Sequence, residues 1–540
     1  MKTAGSLRYP YRAADVYPRG LWVSTTLADS LARAAQHTPQ RPLLIDGDIR
    51  LTCRELHTQA TALARAMLAR MPVGSVVSFM LPNWYEAAVI YLASTLAGMV
   101  ANPILPSLRD AELRFILADA KTRMIFVPGE FRGHDYASML SRVISAIAAP
   151  PEVVVVRGRP AAHTDYLTLC QSPSQDPAPV RLPALDPDAV RMLLYTSGTT
   201  ARPKGVLHSH NSIHALIRQI GQHWQVDPGD TFLVASPVAH IGGSIYAFEC
   251  PLLLGTAAVL MDTWSPDAAA QLMLAERCTH MAGATPFLEQ LLAAAQRAAT
   301  RLPDLKVFVC GGASVPAALI RAAGRYFPTA VITRVYGSSE VPVSTVGSMG
   351  AGDQEHAAET DGRTGIADIK LVHHDAAPPG EGEIWVRGPQ MLVGYLHRED
   401  EAGCFDTQGY FRTGDLGRWV DDDYLLVTGR VKDVIIRNGE NIAAKEVEDI
   451  LLGHPGIAEI AVVGVPDQRT GERACAVIVP AGDTPPGLAE LQAMLTDHGV
   501  ARFKAPEQVV ICDSLPKNDA GKVIKQRIRT FLTDRIEEGG

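Results

Sequence analysis

From residue 190 to residue 336, short apolar runs alternate with stretches of helical period, and this alternation limits the fold more than any other feature. The runs 190–195, 232–235, 258–261, 307–310 and 331–336 are nearly continuous, as strands covered on both faces require. The stretches 212–221 and 286–299 have helical spacing. Strands linked through helices form parallel sheets with right-handed crossovers, and ligands collect where such strands end. The same texture begins earlier. Residues 27–35 and 56–71 read as amphipathic helices, 76–80 and 124–127 as buried strands.

A Pro-, Ser- and Asp-rich stretch at 171–188 reads as a surface connection. After about residue 430 the pattern changes to strands at 459–463, 474–479 and 508–511 with a helix at 488–495. The expected class is α/β: a large N-terminal domain (1–428) of parallel-rich sheets flanked by helices, a hinge at 429–433, and a small α+β C-terminal domain (434–540). Hydrophobic residues are 47% and charged residues 20% of the 540, which suits large cores and excludes a disordered chain. With 50 basic and 58 acidic side chains the net charge is −8, so an overall basic footprint for nucleic acid is excluded. The eight cysteines contain no C-x-x-C pair and read as thiols of a reducing compartment. The N-terminal stretch has no apolar signal segment, so a cytoplasmic location is expected. The stretch 87–105 runs 19 residues without a charge, near membrane-span length. It also carries Tyr91, Ser94, Thr95, Gly98, Asn102 and Pro103. It therefore reads as a buried helix stopped at Asn102-Pro103, with no transmembrane segment.

The segment richest in chemistry is Thr196-Ser197-Gly198-Thr199-Thr200-Ala201-Arg202-Pro203-Lys204-Gly205, at the end of a predicted strand. Glycine lets a backbone approach a phosphate, hydroxyls add donors, and Lys204 adds charge. It is not a Walker A loop, because the lysine precedes its glycine. Tyr336-Gly337-Ser338-Ser339-Glu340 closes another strand with an aromatic face, a tight turn, two hydroxyls and a carboxylate. Asp415, after a Gly-bearing turn, is suited to accept from two ribose hydroxyls. Arg430-Val431-Lys432-Asp433 follows, and Pro516-Lys517-Asn518-Asp519-Ala520-Gly521-Lys522 sets a lysine on a glycine-bearing loop. His208-x-His210 lacks a third metal ligand at a suitable spacing and reads as the start of a helix.

In this order and spacing the segments resemble the adenylate-forming superfamily of acyl-CoA synthetases, peptide-synthetase adenylation domains and beetle luciferases, over about residues 27–525. The resemblance implies an acid:CoA ligase that uses ATP and Mg²⁺, makes an acyl-adenylate, and passes the acyl group to coenzyme A. On this resemblance Thr196, Ser197, Gly198, Thr199, Thr200 and Lys204 close over the β- and γ-phosphates, with Ala201 where glycine is common. Gly312, within Gly311-Gly312-Ala313, lies beside adenine, and Tyr336 stacks near it. Gly337, Ser338 and Ser339 complete the ATP site. Glu340 holds Mg²⁺, and Asp415 and Arg430 bind ribose. Lys522 is the catalytic lysine of a mobile domain that turns about Lys432. The turn brings Gly439 and Glu440 to the CoA path, with Asn438 where glycine is common.

Ser236-Pro237-Val238-Ala239-His240-Ile241-Gly242-Gly243 resembles the gate of the acyl pocket, with His240 as a second catalytic residue. Gly242 and Gly243 are expected to leave room, with Phe287 and Val341 as walls; Thr285, Pro286, Val335 and Pro342 are further candidates. The gate lacks the Asp that amino-acid-activating relatives use, so the expected small-molecule partner is a hydrophobic acid: medium-chain, alicyclic or aromatic. Residues 80–84 and 102–106 look most like synthetases for medium-chain or alicyclic acids, and a cyclohexanecarboxylate-type ligase is favoured. The competing readings are a ligase that loads a carrier protein and a non-catalytic protein that binds acyl-adenylate or CoA. A homodimer is left open.

Overall fold

The computed structural model describes residues 16–171, 180–196, 202–312, 315–350, 352–375, 377–438, 440–467, 469–517 and 522–538. Among them, two large sheets share one core. The first runs in the order Val331–Val335, Val307–Gly311, His280–Gly283, Thr231–Val234, Ala257–Leu260, Pro42–Asp46, Ile49–Thr52. Every neighbouring pair in it is parallel except the last. The second runs Gly394–Tyr395, Lys204–Ser209, Val190–Thr196, Val100–Pro103, Val76–Phe79, Thr122–Pro128, Glu152–Val156, Thr164–Asp165. It is parallel from Val190–Thr196 onward, and Val190–Thr196 and Lys204–Ser209 form an antiparallel pair around the glycine- and hydroxyl-rich segment. Gly394–Tyr395 adds a further antiparallel strand beside Lys204–Ser209.

Two smaller sheets complete the chain. Asp368–Val372, Gly382–Arg387, Phe411–Val420 and Tyr424–Arg430 form an antiparallel sheet. The last sheet uses only residues from 435 to 511: four antiparallel strands, with Gln508–Ile511 parallel to Gly471–Pro480. It belongs to the small C-terminal domain, and a bond from Asn441 Nδ2 to the Asp375 carbonyl (2.8 Å) touches the larger one.

Helix starts follow the local chemistry. Thr26 with Asp29, Thr52 with Glu55, and Ser209 with Ser212 form capping boxes for Leu27–His37, Cys53–Leu68 and His210–His223. The uncharged stretch contains the helix Tyr85–Leu96, and every residue from Glu86 to Leu96 is buried. Its side chains share a core with Leu43 and Leu44 of one sheet and Val77 and Phe79 of the other. Each Leu or Ile so buried contributes about 1.5–3 kcal/mol. The helix does not run to Asn102-Pro103 as expected. It stops at Gly98, whose φ of +63° is reached without a Cβ penalty. Asn102 lies in the strand Val100–Pro103 and donates to Ser78 Oγ (2.9 Å). Among the described residues no helix is long and apolar enough to cross a membrane. All eight cysteines are unpaired.

One polar group crosses the core. Arg191, inside the strand Val190–Thr196, donates to Glu249 and to the Tyr91 hydroxyl, both at 2.6 Å. Tyr91 also donates to Glu249. Arg191 is 3% and Glu249 0% exposed. Glu249 ends a π-helical turn, Ile245–Glu249, that continues the short helix Ile241–Ser244.

Candidate active site

Asp415 and Arg430 stand opposite each other in register on neighbouring antiparallel strands. Arg430 Nε lies 2.8 Å from Asp415 Oδ1, and the Tyr336 hydroxyl donates to Oδ2 at 2.7 Å. A carboxylate has about four acceptor positions, so Asp415 keeps capacity for two ribose hydroxyls. Tyr336 follows the strand Val331–Val335, and its N–H donates to Thr345 Oγ1 (2.8 Å). Gly311 fits because a Cβ there would lie 2.8 Å from the Val335 carbonyl oxygen. Gly312 has φ +83° and open space around it. A Cβ on Gly337 would come 2.5 Å from the Val343 nitrogen, so the turn after Tyr336 is closed too tightly for any other residue.

Ser338 Oγ accepts from the Val341 N–H (3.3 Å), and the Ser339 carbonyl accepts from His208 Nε2 (2.8 Å). His208 is thus a prop for the backbone next to Glu340. Burial pushes its pKa down to about 4, so the ring is neutral. The Glu340 carboxylate accepts from the Tyr395 hydroxyl (3.1 Å). Lys204, paired with Thr196, holds its ammonium 5.3 Å from the Tyr395 ring centre and bonds the Asp400 carbonyl (3.3 Å). The segment's second stem therefore lies beside Glu340. Ser197, Gly198, Thr199, Thr200 and Ala201 lie outside the described residues, as do Ala313, Gly439 and 518–521. Among the described residues no group of three or more His, Cys, Asp or Glu could hold a metal ion. One partly open carboxylate suits Mg²⁺, which keeps waters and takes phosphate oxygens as its other ligands.

Lys522 joins this cluster from the C-terminal domain. Protein surrounds it, and it lies in the fields of Arg430, Asp415, Lys432 and Asp433. Burial, then Arg430, push its pKa down to about 8. Burial followed by Arg430 also lowers Lys432. Arg529 bonds Asp433 (2.9 Å) and the Lys432 carbonyl (3.4 Å). Asn438 has φ +50°, the left-handed geometry expected of it. Glu440 stands exposed on the hairpin opposite Arg437.

His240 caps the helix Ile241–Ser244 and accepts from the Gly242 N–H through Nδ1 (3.2 Å). Burial lowers its pKa, and in the neutral ring the proton then sits on Nε2. The residue as a whole keeps access to solvent. Asn83 fixes the turn before it, donating to the Val234 and Ser236 carbonyls (3.1 and 2.9 Å) and accepting from the Val238 N–H (2.9 Å). Two pocket expectations are corrected. Gly242 leaves room, but a Cβ on Gly243 would lie 2.2 Å from the Pro237 carbonyl oxygen, so Gly243 serves close backbone packing. Val341 is 0% exposed within the main core, so it offers no open wall. Phe287 packs edge-on against Trp264 with ring centres 4.7 Å apart.

Tyr336, Asp415, Arg430, Lys432 and Lys522 thus meet, with Glu340 four residues from Tyr336 and Lys204 beyond Tyr395. Tyr395 and Asn83 were not singled out as site residues. Neither belongs to a spacing pattern that marks chemistry, and only long-range contact reveals them. Residues 31–396 match the family model of the AMP-binding enzyme, and 446–522 match that of its C-terminal domain.

The chain belongs to the AMP-binding enzyme family.

It is an adenylate-forming enzyme, as the motifs implied. It is similar to the medium-chain fatty-acid–CoA ligase of Escherichia coli (strain K12), 34% identical over 98% of this chain and 94% of that protein. It is also similar to a salicylyl-CoA synthase / salicylate adenylyltransferase of a Streptomyces species, 31% identical over 99% of each. The crystal structure of ATP-bound MatB from Rhodopseudomonas palustris has the same fold, with a TM-score of 0.83 and 26% identity over 94% of this chain and 99% of that one.

Proposed function

We propose that this chain is an AMP-forming acid:CoA ligase for a hydrophobic, medium-chain or alicyclic carboxylic acid. In the first step a carboxylate oxygen attacks the α-phosphorus of ATP, the bond to the β-phosphate oxygen breaks, and pyrophosphate leaves. In the second, a CoA thiolate attacks the acyl carbon, the bond to the AMP oxygen breaks, and the acyl thioester and AMP form. Two anions must meet in the first step, and no protein nucleophile is needed. The work is charge neutralisation and alignment. Asp415, with Arg430 and Tyr336 behind it, holds the ribose. Glu340 would hold Mg²⁺, which would supply positive charge at the phosphates. Lys204 and the sequence segment 196–200 are assigned to the β- and γ-phosphates, and Lys522 stabilises charge on the α-phosphate and the leaving group.

The observation that supports this reading is the presence of Lys522, from the C-terminal domain, beside the Asp415–Arg430–Tyr336 group. The proposed units are 1–428, a hinge 429–433 pivoting at Lys432, and 434–540, whose rotation would bring Gly439 and Glu440 to the thiol path. His240, beside Gly242, gates the acid, and Phe287 is a further residue of its pocket. The E. coli relative supports a medium-chain acid and free CoA as acceptor.

The test is acid-dependent ATP–pyrophosphate exchange over aliphatic, alicyclic and aromatic acids, followed by thioester formation with CoA or with a phosphopantetheinylated carrier protein. Exchange with medium-chain or alicyclic acids, and turnover with CoA, are expected. Absence of exchange with every acid would overturn the ligase reading. Faster turnover with the carrier would overturn the choice of acceptor.

A further inference from the structure

We propose that Asp361 is a positioning residue for the ribose site: its side chain and its own backbone hold together the two elements that deliver Tyr336 and Arg430 to Asp415. This rests on reading Asp415 as the acceptor of the ribose hydroxyls.

Asp361 follows the helix Gln354–Glu359, and its side chain is 12% exposed. Oδ1 accepts from two nitrogens of Arg334, Nη2 at 2.7 Å and Nε at 3.1 Å. Arg334 belongs to the strand Val331–Val335, two residues before Tyr336, and its Nη1 donates to the Ala358 carbonyl (2.9 Å). The Asp361 carbonyl accepts from the Thr345 hydroxyl, whose oxygen in turn accepts from the Tyr336 N–H at 2.8 Å. Asp361 thus reaches Tyr336 by two routes. On its other side it meets Tyr424–Arg430, the edge strand of its sheet. The Asp361 N–H donates to the Leu425 carbonyl (2.7 Å), and Oδ2 accepts from the Val427 N–H (2.9 Å). That last bond adjoins an irregularity. Gly417 pairs with Val427 but Leu416 pairs with Gly429, which leaves Thr428 as an extra residue. Through this bulge Arg430 stands opposite Asp415; in an unbroken register Gly429 would.

The physical effect is preorganisation. An edge strand presents amides that its sheet does not pair, and each needs a partner where it is covered. Residues 361 and 362 pair with Leu425 through the backbone, and the Asp361 carboxylate takes the next outward N–H, that of Val427. A buried ion pair returns little net stability, because desolvation offsets the attraction; what it fixes is geometry. The geometry here is that of Asp415, whose two oxygens are held by Arg430 Nε and by the Tyr336 hydroxyl. With both donors seated, the carboxylate is already oriented and loses little freedom when a ligand binds. The contribution falls on the ribose hydroxyls that Asp415 accepts from. A nucleotide without them does not receive it.

The experiment is calorimetric binding of AMP and of 2′,3′-dideoxy-AMP to the full chain in wild-type form and as Asp361→Ala, Asp361→Asn and Thr345→Val. The wild type is expected to prefer AMP, and Asp361→Ala to reduce that preference about tenfold through weaker AMP binding. Asp361→Asn keeps an acceptor, and Thr345→Val removes only the link to the Tyr336 N–H. Both reduce the preference by less, and either one serves if the alanine variant does not fold. An unchanged preference in a folded variant overturns the role of Asp361, whether both affinities stay or both fall together; an equal fall marks a general disturbance. A wild-type chain that binds the two nucleotides equally overturns the assignment of ribose to Asp415, and with it the proposal. A wild-type chain that binds neither overturns the nucleotide reading of the site itself.

Discussion

Lys522 is held among cationic neighbours in water-poor surroundings, and its proton leaves near pH 8 rather than in the usual lysine range. A lysine lowered in this way is charged below pH 8 and neutral above it. Adenylation at limiting ATP is therefore expected to hold level near neutrality and to fall as pH rises through about 8. Bound phosphates favour the charged form, so the fall moves to higher pH at saturating ATP. Exchange kinetics against pH at both ATP levels measure this. Lys522→Ala is expected to lower exchange on the order of 100-fold or more with little loss of acid binding; near-normal exchange would remove Lys522 from the chemistry. The neighbouring glycines of the gate give a second contrast. Gly243→Ala forces a Cβ into the Pro237 carbonyl, so its melting temperature is expected to drop by several degrees. Gly242→Ala meets only His240 Nδ1, 3.5 Å away. It is expected to melt as the wild type does and to shift activity toward smaller acids, read from the acid panel.

The strand Val190–Thr196 shows how an element carries information its apolar pattern hides. Its Arg191 reads as an interruption in a hydrophobic run, yet it is enclosed and pairs with Glu249 on the π-helical turn beyond the gate. Removing one member of such a pair leaves an uncompensated buried charge. Glu249→Ala is expected to cost about 3–5 kcal/mol. Glu249→Gln keeps an acceptor for Arg191 and Tyr91 and is expected to cost less. Urea denaturation of the two variants checks the order, and equal stability would mean the charge is unimportant. The helix Tyr85–Leu96 is the opposite case: its uniform apolarity is legible, but the same residues suit a membrane or a core. Pro is the stronger stop in sequence, whereas the chain turns at Gly98, which takes positive φ at no cost.

At the scale of the molecule, the proposed function assigns its two half-reactions to two arrangements of the C-terminal domain, and the observed one has Lys522 at the Asp415 group. Arg529 binds Asp433 and the Lys432 carbonyl, which lie on the C-terminal side of the proposed pivot. Rotation would then be confined to the backbone torsions of Lys432. Proline at this position fixes φ. Lys432→Pro is expected to retain ATP–pyrophosphate exchange within severalfold and to lower acyl-CoA formation on the order of 100-fold. Equal losses in both half-reactions would place the pivot elsewhere.

Local patterns in the chain were enough to announce parallel sheets, most strand and helix positions, and the segments that carry Tyr336, Asp415, Arg430 and Lys522, because these depend on side-chain period and on chemistry carried by a few adjacent residues. Asn438 was legible for the same reason. Partnerships across long separations were not: Tyr395 with Glu340, Asn83 with the turn before His240, Asp119 with Tyr195 and Arg202, Arg191 with Glu249. They depend on which strands become neighbours. Whether a Gly leaves space or admits backbone, as Gly242 and Gly243 differ, is set by what folds against it, and no local pattern holds that information.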